Sequence, residues 1–278
     1  MKSFINCSLI ICLLALFGCN QPSEKTEMPV EETFQKVEMI TTLGTMEIQL
    51  SNETPLHRDN FIHLAKHHAY DSLLFHRVIQ NFMIQGGDPD SRKATLADTL
   101  GDGDAPYLVK AEFNKALFHK KGVLAAARDD NPARSSSSMQ FYIVQGKVFN
   151  DSTLDLAQNR IHKTFAVDYF KELGTRSTLI DSMDSAMDQR NFERYNLIKD
   201  SIYGFATADA NFKPYMIPED HREVYKTLGG TPHLDQTYTV FGEVTKGLEV
   251  LDAIAAVETD DMNRPLKDAR IISLKIIE

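Results

Sequence analysis

The chain has no tryptophan, and beyond residue 19 it has no cysteine. The second absence removes intramolecular disulfides from everything downstream, so the folded body relies on core burial. Basic charge is also scarce. Lys and Arg total 30 against 39 Asp and Glu, a formal net charge of −9, with no long basic run. Nucleic acid and anionic membrane surfaces are poor partners for such a chain. Its longest apolar run lies inside residues 1–18 and is too short to span a bilayer. What remains is 42% apolar and 25% charged, ordinary globular composition for one large domain or two smaller ones. There is no internal repeat, and no motif implies a cofactor or metal.

Residues 1–18, "MKSFINCSLIICLLALFG", join a basic start at Lys2, an apolar run and small Gly18 before Cys19. This pattern reads as a secretory signal. Its end, "LFGC", resembles a bacterial lipobox. That resemblance implies cleavage before Cys19 and a diacylglycerol on its sulfur, hence a lipid-anchored protein on an extracytoplasmic (periplasmic) face of the cell envelope. Asn20, where an inner-membrane retention signal has Asp, favours the outer membrane. Residues 19–36, polar, acidic and Pro-containing, read as a flexible tether.

From Val37 the pattern becomes β-rich. Two strand-like runs flank Leu43-Gly44. Thr54 and Pro55 open an amphipathic helix carrying Phe61, Leu64, Ala65 and His68 at helical spacing. "FHRVIQNFMIQGGDP" (75–89) reads as two short strands around Gln80-Asn81. "TLGDGDAPY" (99–107) is turn-rich, "GVLAAA" and "MQFYIVQG" are strand-like, and the serines at 135–138 read as a flexible loop. Residues 147–230 carry helical periodicity, far beyond ordinary loop length. Strand signals return at 238–244, a helix at 247–257 and a last strand at 270–278.

Four blocks in this order, "FHRVIQNFMIQGGDP", "GVLAAAR", "SMQFYIV" and "HLDQTYTVFGEV", resemble the signatures of the cyclophilin-type peptidyl-prolyl cis-trans isomerases. "NFIHLA" resembles that family's first helix and "AEF" (111–113) its mid-chain block. The resemblance implies a mainly β fold, a closed eight-stranded antiparallel β-barrel with two capping helices. Residues 37–146 and 231–278 would form the barrel and residues 147–230 an α-helical insertion.

The implied reaction is rotation about Xaa-Pro bonds in unfolded or extended exported polypeptides. The barrier is about 18–20 kcal/mol because rotation breaks amide resonance. Reaching millisecond turnover from the uncatalysed rate takes roughly 5.5–7 kcal/mol of transition-state stabilisation. No bond is cleaved, so a proline socket and a fixed hydrogen-bond donor suffice. A guanidinium, always charged and rigid, suits the pyramidal prolyl nitrogen. The resemblance places that donor at Arg77 and the socket at Phe82, Met83, Tyr142 and Leu234. Gln85 and Gln140 would bind substrate or hold Arg77, Ala127 and the Arg128 backbone would bind the extended peptide, and Tyr238 would lie at the rim.

Departures from the family pattern fall at Tyr142, commonly Phe, whose added hydroxyl needs a partner. Others are Arg128, often Asn, and His233 and Tyr238, where eukaryotic members often have Trp and His; weakened affinity for cyclosporin-like macrocycles is expected. His57, His63, His67 and His68 read as exposed helix histidines, with no metal expected. An alternative reading makes the barrel mainly a chaperone or client-binding module, with residues 147–230 gripping a protein partner and isomerisation secondary.

Overall fold

The computed structural model describes residues 34–174 and 177–277. The expected signal peptide, most of the expected tether and the expected lipidation site Cys19 lie outside the described residues.

The first hairpin pairs β1 (Lys36–Thr41) with β2 (Gly44–Leu50). Alternate residues of each strand, including Val37, Met39, Met46 and Ile48, enter the core, as period-two patterning requires. Helix α1 (Pro55–Lys66) follows and lays Phe61, Leu64 and Ala65 on the sheet. Its N-cap, Thr54, makes no side-chain cap bond. Glu112 does that work from a distance, accepting from the Leu56 N–H at 3.1 Å and the His57 N–H at 3.0 Å. An acidic side chain at a helix N-terminus also complements the helix dipole.

The wall continues with β3 (Phe75–Ile79), β4 (Met83–Gly86), β6 (Val123–Ala126), β8 (Phe141–Val144), β9 (Val240–Lys246) and β10 (Ile271–Ile277). Between them, β5 (Leu108–Val109) and β7 (Ser136–Ser137) form a separate small pair. The main sheet has eight strands in the order β10-β1-β2-β9-β6-β8-β4-β3, with antiparallel pairing throughout. Helix α6 (Leu248–Ala255) buries Val250, Leu251, Ile254 and Ala255 in the same core as α1.

The expected closed barrel is not formed. The sheet is open and curled, a half-barrel with β3 and β10 at its edges. The chain entering β3 crosses the start of β10 briefly, through Ser72 N–H to Ile271 O (2.8 Å), Ile271 N–H to Leu73 O (2.8 Å) and Phe75 N–H to Ala269 O (2.9 Å). Beyond that crossing the Val78 N–H donates to the Asn263 carbonyl, so a loop rather than a strand covers the β3 edge. Covering an edge in this way satisfies its hydrogen-bonding groups without closure.

Four helices lie between β8 and β9: α2 (Asp151–Leu173), α3 (Ser177–Asp188), α4 (Phe192–Thr207) and α5 (Glu219–Thr227). Helix α2 starts in a reciprocal capping box between Asn150 and Thr153. Helices α2–α4 bury a core of their own around Val167, Phe170, Met183 and Ile202. Another cluster joins Leu154, Ile161, Tyr215 and Tyr225 to Phe118 of the sheet body. The two ends of this segment meet: Lys147 and Gly230 form a bridge. A side chain at Gly146, which has φ 64°, would collide with the Gly230 backbone. The serines at 135–138 are not a loose loop. Ser136 Oγ meets the His57 ring (3.1 Å), Ser137 Oγ accepts from the Gln140 N–H (2.7 Å), and Ser138 Oγ donates to Asp104 (2.9 Å).

Candidate active site

Strand register assembles the site. Arg77 pairs with Gln85, Gln85 with Tyr142, and Tyr142 with Ala125, one row across four strands. The next row holds Ile79, Met83 and Val144. Because side chains alternate faces, Ile84, Ile143 and Leu124 go to the main core while Met83, Tyr142, Val144 and Ala125 form a second apolar cluster on the opposite face. Strands β6 and β8 are therefore buried on both faces, which explains their continuous apolar sequence.

Onto that second cluster pack Phe82, Leu234, Ala127, Tyr238, Ile79 and Leu117. The turn at Asn81, with φ 61°, lifts Phe82 to the edge of the shelf. The Phe82 N–H bonds to the Ile79 carbonyl at 3.1 Å. His233 stacks on the Phe82 ring at 5.7 Å with 21° between planes. Burial pushes the His233 pKa down to about 4, so at neutral pH the partner of Phe82 is an uncharged ring.

Arg77 is exposed at the margin of this shelf. Its Nη1 donates to Gln85 Oε1 at 3.2 Å, Gln85 Nε2 donates to Gln140 Oε1 at 3.1 Å, and Gln140 Nε2 donates to the Gly101 and Gly103 carbonyls at 2.7 and 2.8 Å. Each amide receives on its oxygen and gives from its nitrogen, so the relay has one direction. It ends on the 99–107 loop, which Asp88 holds by accepting from the Gly101 N–H at 2.5 Å. One arm of the guanidinium is thereby anchored while its other N–H groups face outward.

Ala127 and Arg128 use their backbone groups differently from one another. The Ala127 N–H donates to Gln140 O (3.0 Å) and its carbonyl accepts from the Ser137 N–H (2.9 Å), leaving its methyl for the shelf. The Arg128 N–H and C=O have no backbone partner among the described residues. The Arg128 side chain is tied down instead, with Nε donating to the Thr237 carbonyl at 3.0 Å and the guanidinium 4.8 Å from the Tyr238 ring centre. Tyr238 in turn meets Tyr142 edge-on at 5.8 Å.

The Tyr142 hydroxyl has a buried partner, His119 Nε2 at 2.9 Å. His119 Nδ1 lies 3.1 Å from Asp235 Oδ1, which also accepts from the His119 backbone N–H at 2.9 Å. The Tyr225 hydroxyl of α5 reaches both Asp235 oxygens at 2.8 and 2.9 Å. A chain Tyr142–His119–Asp235–Tyr225 thus runs through the interior from the shelf to the helical segment. Burial raises both tyrosine pKa values well above the ordinary range, so these hydroxyls stay protonated donors. The sequence signals the need for a Tyr142 partner, but none of the other three stands out in it. They come from separate segments joined only by folding.

The helix histidines separate by position. His57 is buried rather than exposed, with Nδ1 2.7 Å from Glu112 and Nε2 3.1 Å from Ser136 Oγ. His63 and His67 have ring centres 4.3 Å apart, and His67 Nδ1 lies 2.7 Å from the His63 carbonyl.

A curled antiparallel sheet with an apolar shelf on its outer face, flanked by an anchored arginine, defines a cyclophilin-like protein. The family model described as "Cyclophilin type peptidyl-prolyl cis-trans isomerase/CLD" matches residues 36–159 and 155–276, and the chain belongs to that family. A Staphylococcus saprophyticus protein bearing a peptidyl-prolyl cis-trans isomerase name is 28% identical over 260 residues, covering 93% of this chain and 99% of that one. A counterpart in Staphylococcus aureus strain USA300 is 29% identical over 244 residues, covering 87% and 92%. A cyclophilin-type isomerase of Cryptosporidium parvum shares the fold at TM-score 0.53 and 18% identity, covering 88% of this chain and 99% of that one. The chain is an enzyme, a cyclophilin-type peptidyl-prolyl cis-trans isomerase.

Proposed function

We propose that Arg77 is the catalytic donor and that the shelf is the proline socket, in an enzyme serving exported polypeptides at the cell envelope. In this reading Phe82, Met83, Tyr142 and Leu234 hold the proline ring. The outward N–H groups of Arg77 donate to the prolyl nitrogen as it becomes pyramidal. Gln85 and Gln140 position that guanidinium, and the open N–H and C=O of Arg128 pair with the extended peptide. Residues 37–146 and 231–278 act as the catalytic body and residues 147–230 as an inserted module. The lipobox-like end of the leader supports anchoring through Cys19 on the periplasmic face.

The relay from Arg77 to the 99–107 loop carries this reading. An exposed arginine on an edge strand ordinarily spends its freedom in water, yet this one is oriented by two glutamines beside an apolar surface. Fixed donors stabilise a transition state more than mobile ones because their reorganisation is already complete. Arg77→Ala should lower kcat/KM on an Xaa-Pro peptide by about 10²–10³-fold, the cost of losing one preorganised donor. The protein should stay folded by circular dichroism, since Arg77 is exposed. A folded variant that turns over at the native rate rules the assignment out.

A further inference from the structure

Arg128 faces two ways. On one side it lies over Tyr238 at the rim of the shelf. On the other it lines a cleft of about 990 Å³ between the 128–134 loop and helices α2, α3 and α4. Phe165, Met187 and Tyr195 are among the apolar residues that line it with exposed surface. A methionine among aromatics gives a surface that adapts to varied side chains. The volume is that of a ligand site rather than a packing gap.

The charges of the cleft are unevenly matched. Arg134 pairs with Asp168, and Arg128 lies 4.0 Å from Asp130. Lys199 Nζ donates to Thr164 Oγ1 at 3.4 Å and lies 5.8 Å from the Tyr195 ring centre. No carboxylate lies within ion-pair distance of Lys199 among the described residues, and the Asp200 carboxylate beside it in sequence goes to Lys163. Burial lowers the Lys199 pKa and the Lys163 ammonium adds to the shift, while the Asp200 and Asp130 carboxylates oppose it from beyond ion-pair distance. An incoming carboxylate would relieve that cost.

Resting on the reading of Arg77 as the isomerase site, we propose that this cleft binds the extended stretch of client polypeptide flanking the target proline. It takes an acidic side chain at Lys199 and apolar side chains against Phe165, Met187 and Tyr195. Continuity decides in favour of the client chain over a second copy of the protein: the residue that opens the cleft also borders the shelf, so one extended strand can occupy both.

The test uses the full chain and two fluorescent peptides with the same Xaa-Pro bond. One is short; the other continues into an unstructured tail of Glu and Leu. The long peptide should bind more tightly by fluorescence anisotropy and show the higher kcat/KM. Lys199→Glu should weaken binding and kcat/KM for the long peptide about tenfold, the loss expected of one partly buried charge pair. The short peptide should be turned over as before, which also reports that the variant is folded. Exchanging the tail Glu for Lys should restore affinity to Lys199→Glu. Equal handling of the long peptide by both proteins overturns the proposal, as does a change in sedimentation showing that the cleft seats a second copy. Native turnover of the short peptide by a folded Arg77→Ala variant would refute the reading of Arg77 instead, and the anisotropy arms would still decide the cleft.

Discussion

His76 and Arg77 are neighbours on one strand and face opposite ways. Arg77 is exposed, whereas His76 is buried with neither ring nitrogen hydrogen-bonded among the described residues. Burial lowers the His76 pKa from 6.5 to about 4. Between these values the unfolded chain binds a proton that the folded one refuses, so stability is full above about pH 6.5 and falls as pH drops toward 4. The loss at this one residue is on the order of 3 kcal/mol across the window. His233 shifts in the same direction. Urea midpoints at neutral pH and near pH 4.5 check the slope, and His76→Phe should flatten it. An unchanged slope in that variant would place the titration elsewhere.

At the scale of the element, the 99–107 loop matters more than its turn-rich sequence suggests. It receives the end of the Arg77 relay through the Gly101 and Gly103 carbonyls. A methyl at Gly103 would overlap the Asp88 carboxylate and come within 2.9 Å of Asp90 Oδ2. Gly103→Ala should therefore displace the loop, release Gln140 and let Gln85 and Arg77 swing. Displacements near 1 Å can cost on the order of 10²-fold in rate. The expected result is a fall in kcat with KM little changed, because the shelf itself is untouched; stopped-flow peptide isomerisation measures both. If KM rises and kcat holds, the loop contacts substrate rather than positioning Arg77. Helix α1 shows the same dependence on distant residues. Thr54 and Pro55 mark its start in the sequence, yet its free N–H groups are satisfied by Glu112 in the "AEF" block.

For the whole molecule, the open sheet and the helical segment are tied together by the Tyr142–His119–Asp235–Tyr225 chain. The adjoining glycines at 146 and 230 bring the segment's two ends together, so a long insertion does not force the sheet apart. The envelope assignment is tested at this scale. Cys19→Ser should move the protein from the membrane fraction to the soluble fraction of its own cells and abolish labelling by a lipid precursor. Its peptide isomerisation should be unaltered, because Cys19 precedes every residue that the family model matches. Continued lipid labelling in the variant would exclude Cys19 as the anchor.

Much of this protein is local and is therefore visible in the chain. Alternating residues set strand faces, periodic ones set α1 and α6, and the ordered blocks locate Arg77, Met83, Gln85 and Tyr142 on their strands and Phe82 and Gln140 just before theirs. Register then brings Arg77, Gln85 and Tyr142 into one row. The remainder depends on contacts between residues far apart in sequence, which no local pattern encodes. Folding decided that β3 meets a loop at Asn263 rather than a strand, leaving the barrel open. Folding also chose His119 for the Tyr142 hydroxyl and turned the Ala127 backbone inward. It set Arg128 between the shelf and a cleft whose far wall is built from helices α2–α4. A buried polar group must find a partner somewhere; where that partner sits in the chain was settled by the packing of the whole.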